Sequence, residues 1–183
     1  MKTKLFLMAV ILLMSGIISA QDKPETAGKI MDDAYKLASK EGKSVMIVFH
    51  ASWCGWCRKF EASVNDSSCK DFFDKHFIIK YLDILERGDK KILENPEAIE
   101  VYNKYGGQGG GIPFFLIFDK NKTLLSDSKI RTAGDGPEKP LQNIGCPASE
   151  EEVAAFIKIL EKASKISAAE KTAIMERFKK NKS

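Results

Sequence analysis

The chain has 183 residues, 30% charged and 44% hydrophobic, with 29 basic against 25 acidic side chains and a formal charge of +4. This is the composition of one globular domain with short attachments, long enough to bury a core. It excludes a strongly basic, aromatic-interleaved nucleic-acid surface and calls for no nucleic-acid partner.

Residues 1–20 read as a targeting signal. Lys2 and Lys4 give a positive start, Leu5 to Met14 is an unbroken apolar run, and Ser19-Ala20 before Gln21 makes a small-residue cleavage site. The run is shorter than the ~20 residues of a spanning helix, so cleavage after Ala20 is expected rather than stable membrane insertion. The expected destination is periplasmic or secreted, where thiols meet oxidant.

Residues 21–29 are polar and read as loose. Ile30, Met31, Ala34, Leu37 and Ala38 recur at helical spacing up to Gly42, a helix stop. Residues 44–50 (SVMIVFH) are short and β-branched, as in a buried strand. Then comes Trp53-Cys54-Gly55-Trp56-Cys57, followed by a helix-like run that fades at Asn65-Asp66-Ser67-Ser68. That cluster can cap a short helix at 69–75, and 77–82 (FIIKYL) is the next strand.

Residues 83–105 are charged and mostly helical in pattern, with Leu85, Ile92 and Leu93 expected to cover one side. Residues 106–111 (GGQGGG) read as a flexible joint, since a phosphate loop would need a leading strand and a following Lys-Ser/Thr. Residues 112–118 (IPFFLIF) form a strand led by Pro113, tolerated at an edge or first position. A turn at 119–122 returns the chain into an antiparallel hairpin. Residues 126–148 are loop-rich. Ser149 and Glu152 make a capping box for a helix whose stripe is Val153, Phe156, Ile157 and Leu160. Ile166 to Phe178 is amphipathic and is expected to lie on the surface.

The chemistry points to the close cysteine pair. Spacing of three puts both sulfurs on one side of a first helical turn. There, unpaired N–H groups favour a thiolate at Cys54, the form that attacks disulfides. A free thiol of pKa near 8.5 is only a few per cent ionised at pH 7, and a helix terminus contributes up to ~2 kcal/mol. A moderately lowered pKa is expected. Of two further cysteines, Cys69 is read as a small buried hydrophobe and Cys146 as partly buried, with a third thiol near the site as its alternative; whether the two pair stays open.

The order of elements, with Trp53-Cys54-Gly55-Trp56-Cys57 and Ile112-Pro113, resembles the thioredoxin-like superfamily across roughly residues 27–163, most nearly its exported bacterial members. The resemblance implies an α/β thioredoxin-like fold: a central mixed sheet flanked by helices, with a helical insertion before the cis-proline strand. Its domain spans 21–165, with a helical extension at 166–183. It implies Cys54 as attacking thiol, Cys57 as resolving thiol, Pro113 as a cis-proline facing them, and Ile112 as backbone partner of an extended substrate. Trp53 would pack beside the site and Trp56 would offer an apolar face to substrate. The family's buried aspartate is replaced by Val48, leaving Glu61, one turn after Cys57, as candidate proton acceptor. Lys80 takes the place of the strand lysine that pairs with that aspartate.

The expected function is thiol–disulfide exchange: reduction or isomerisation of disulfides in exported proteins, without metal or other cofactor, recharged by a membrane thiol reductant. The rival readings are copper binding or metallochaperone work by the CxxC pair, and a non-catalytic peptide-binding module on the same fold.

Overall fold

The computed structural model describes residues 23–131 and 141–182, so the expected signal at 1–20 lies outside the described residues. The elements run α1 (Ala27–Glu41), β1 (Ser44–His50), α2 (Gly55–Val64), α3 (Lys70–His76), β2 (Phe77–Asp83), a 3-10 turn (Gly88–Leu93), α4 (Ala98–Lys104), β3 (Phe114–Phe118), β4 (Leu124–Asp127), α5 (Glu150–Ala163) and α6 (Ala168–Lys179). The strands form one sheet in the order β2-β1-β3-β4. β1 runs parallel to β2 and antiparallel to β3, and β3 to β4 antiparallel, so the sheet is mixed as expected.

Alternation along the two inner strands divides the core. Met46 and Val48 of β1 with Phe115 and Ile117 of β3 face α2, α3, α5 and α6. Val45, Ile47 and Phe49 with Phe114, Leu116 and Phe118 face α1 and α4. Both inner strands are buried on both faces, hence their near-continuous apolar sequences. β3 is interior, and Pro113 stands just before its first residue, where no ladder N–H is lost.

Four expectations need correction. α1 begins at Ala27 because the Thr26 side chain accepts from the Lys29 N–H, so 27–29 are helical rather than loose; Gly42 closes the helix at a left-handed φ of 69°. In the insertion, Leu85, Ile92 and Leu93 are exposed, and only Gly88–Leu93 and Ala98–Lys104 are helical. The glycine-rich segment is held rather than free: Gly107 lies against the Tyr102 ring, where an added Cβ would meet ring carbon at 2.3 Å. The Asn143 amide donates to the Gly110 and Gly111 carbonyls at 3.0 and 3.2 Å. Finally, α6 is no surface helix. Ile174 and Phe178 are fully buried. The Phe178 ring meets Phe60, Phe73 and Phe156. The capping box at Ser149 forms as its sequence predicts, and a second one at Ser167 starts α6.

A candidate redox site at the end of strand β1

The site grows from the C-terminal end of β1. His50 ends the strand, Ala51 is buried, and the chain turns through Ser52 and Trp53 so that the Cys54 N–H donates to Ala51 O at 3.0 Å. Cys54 is the N-cap of α2 and its sulfur accepts from the Cys57 N–H at 3.1 Å. A backbone donor thus points at the sulfur expected to carry charge. Cys54 and Cys57 form a disulfide, with Cα atoms 5.3 Å apart. Both are buried, at 3% and 4% exposure, and Cys54 is the one at the helix start.

The Ile112–Pro113 segment closes the other side. Its peptide bond is cis. Ile112 packs on Ala51, Cys54 and Cys57, and its carbonyl oxygen lies 3.7 Å from Cys54 Sγ. Asn143 donates to Pro113 O at 3.0 Å, which ties this segment to the glycine-rich one. A cleft runs from Trp56 past Ile112 and Pro113 to Asn143 and Cys146.

Both tryptophans are partly exposed, and each carries a cation over its ring: Arg87 over Trp53 at 3.9 Å and Lys59 over Trp56 at 4.7 Å. The Trp53 indole N–H donates to Leu85 O at 2.7 Å. Glu61 is exposed one turn beyond Cys57, and its charge reaches Tyr81. Val48 is buried in the position read as lacking the aspartate, and Lys80 points outward.

Sequence reasoning missed Glu86. It is buried at 4% exposure and accepts from the Ser52 N–H at 2.5 Å and the Ser52 hydroxyl at 2.8 Å. Nearby, His50 Nε2 meets Asp83 Oδ1 at 3.1 Å because the parallel register sets the two residues side by side. Burial pushes the Asp83 carboxyl above its usual range; His50 opposes this and Glu86 adds to it. The signal for Glu86 was faint, one acid in a charged stretch.

Cys69 and Cys146 are free and buried. The Asn181 amide donates to Cys146 Sγ at 3.3 Å, and burial pushes that thiol up to about 12. Burial likewise raises the Cys69 thiol. Among the described residues, no group of three or more His, Cys, Asp or Glu is placed to hold a metal ion, and no helix is long and apolar enough to cross a membrane.

A family model described as thioredoxin-like matches residues 27–120, just over half of the chain. The chain belongs to the thioredoxin-like family. Solved structures similar to this thioredoxin-like chain include a disulphide isomerase from Xylella fastidiosa, at 20% identity over 61% of this chain and 80% of that one, TM-score 0.47. The DsbH oxidoreductase matches at 19% identity over 76% and 82%, TM-score 0.42. The oxidised DsbD C-terminal domain of Neisseria meningitidis matches at 17% over 77% and 99%, TM-score 0.44. No protein of curated function matches.

Proposed function

We propose that this chain is a thiol–disulfide oxidoreductase that reduces or isomerises disulfides of exported proteins. The observation that carries the reading is a Cys54–Cys57 disulfide at the start of α2, beside Ile112–Pro113, in a thioredoxin-like fold.

In the reducing direction both cysteines start as thiols. The Cys54 thiolate attacks one sulfur of a substrate disulfide; a mixed disulfide forms and the other substrate sulfur leaves as thiolate. Cys57, having lost its proton, attacks Cys54 Sγ and releases the second substrate thiolate. The substrate gains two electrons and the pair becomes the disulfide. Glu61 is the carboxylate one turn along α2 that would take the Cys57 proton, through water. The Ile112 backbone and the cleft beyond Trp56 would hold an extended substrate segment. Trp53 forms the opposite rim. A membrane thiol reductant would supply the electrons that reset the pair. Residues 1–20 act as a leader in this reading, 21–165 as the redox domain and 166–183 as its helical extension.

An insulin-reduction assay driven by a small dithiol tests the reading. Wild type is expected to exceed the dithiol alone, Cys54→Ser to abolish the excess, and Cys57→Ser to accumulate mixed disulfide through Cys54. Wild-type protein no faster than the dithiol would sink it. Mass spectrometry of protein recovered from the expression host's periplasm is expected to find Gln21 at the N-terminus; recovery only of intact Met1 protein in the cytoplasm would oppose export.

A further inference from the structure

The geometry points to Glu86 as a positioning residue that holds the turn leading into Cys54 and sets how readily its thiol ionises. The inference rests on the reading of Cys54 as the attacking thiol.

A carboxylate that is 4% exposed must be compensated, because an unpaired charge in the interior is strongly destabilising. Glu86 lies on the segment after β2, outside the sheet, yet both oxygens converge on one residue of the turn: Oε1 takes the Ser52 N–H and Oε2 the Ser52 hydroxyl. Charge-assisted bonds of this kind are about twice as strong as neutral ones.

Ser52 is two residues before Cys54, and the rest of its polar surface is also occupied. Arg58 Nη1 donates to its carbonyl at 2.9 Å and Lys90 Nζ reaches its hydroxyl at 3.2 Å. The Glu86 N–H is itself held by Glu94 Oε1 at 2.8 Å, and the adjacent Leu85 carbonyl receives the Trp53 indole. Residues 85–94 therefore grip the turn at two successive positions. The charged groups around this grip are Asp83 and His50 from the strand ends, Arg58 from α2, and Arg87, Lys90 and Glu94 from the insertion.

Two consequences have opposite sign. As an anchor, Glu86 keeps Cys54 Sγ in line with the Cys57 N–H, which favours the thiolate. As an anion, it disfavours a second negative charge nearby. The variants Glu86→Gln and Glu86→Ala separate them. Glutamine keeps an acceptor for the Ser52 N–H and removes the charge. Alanine removes both and leaves that N–H unmatched.

The measurement is the alkylation rate at Cys54 against pH, read by mass spectrometry on the reduced full chain carrying Cys57→Ser. For Glu86→Gln the midpoint is expected to fall by about half a unit, roughly threefold more thiolate at neutral pH. For Glu86→Ala, which loses the same charge and the anchor as well, the midpoint is expected to lie above the glutamine value by about half a unit or more, roughly threefold less thiolate at neutral pH. A glutamine midpoint that stays put or rises, or an alanine midpoint at or below the glutamine one, overturns the inference. If the alanine variant does not fold, the glutamine profile decides alone. These differences are read against the Glu86 parent, whatever its own midpoint. A parent midpoint near the ordinary thiol value of ~8.5 would count against the oxidoreductase reading and not against Glu86.

Discussion

At the scale of single residues, the four cysteines are nearly alike in exposure, between 1% and 5%, and differ in what meets their sulfur. Cys54 accepts a helix-terminal N–H. Cys146 meets the Asn181 amide in a buried pocket of side chains, and its thiol is pushed up to about 12. At such a value roughly one molecule in ten thousand is thiolate at about pH 8. Reduced native protein treated with iodoacetamide is therefore expected to label rapidly at Cys54 and to label Cys69 and Cys146 only after denaturant is added, as mass spectrometry of the peptides would record. Fast native labelling of Cys146 would contradict a thiol held that far above the ordinary range. The cysteine pair was legible because its chemistry is local: three positions of spacing and a strand-to-helix junction suffice. Glu86 was not, because its role depends on where the chain goes after β2, which no spacing encodes. Asn143 escaped for the same reason, since it serves carbonyls some 30 residues away.

At the scale of elements, α6 carries the lesson about patterning. Ile174 and Phe178 are four apart and share a helix face, so the stripe was visible, yet two apolar positions do not reveal whether a face meets protein or water. The structure gives that face to the aromatic cluster of Phe60, Phe73 and Phe156. Phe178→Ala is expected to cost about 3–5 kcal/mol of stability, a large share of what a domain this size has to lose. Urea unfolding monitored by circular dichroism checks it; a loss under 1 kcal/mol would mean that α6 does not belong to the core. The insertion fails in the opposite way. Leu85, Ile92 and Leu93 suggested a covered side, but residues 85–94 make polar links to Ser52 and Trp53 and leave those three side chains exposed, while Ile84 and Tyr102 on either side reach the core. The strands were read almost to the residue, because continuous apolar runs between turn residues admit few other outcomes.

For the whole molecule, one acidic residue joins distant parts of the chain. Asp66 follows α2, accepts from the Ser68 hydroxyl and N–H, and pairs with Arg177 of α6 at 2.8 Å. Its bonds with Ser68, and then Arg177, hold the carboxyl down at about 2. A folded-state value below the unfolded one, near 3.9, contributes stability that is complete above that value and lost as pH falls toward 2. Asp66→Asn is accordingly expected to flatten the decline in melting temperature between about pH 4 and pH 2 relative to wild type. An unchanged slope would show that Asp66 titrates like a solvated acid. The mixed sheet with flanking helices followed from the family resemblance that the element order carried, whereas contacts that staple loops to one another emerged only in three dimensions. The Asn143 staple has a practical corollary. The GGQGGG stretch looks like an ideal place to splice in a fluorescent reporter, but a guest there would pull on the same amide that secures Pro113, so the insertion would be felt beside the cysteine pair from the outset.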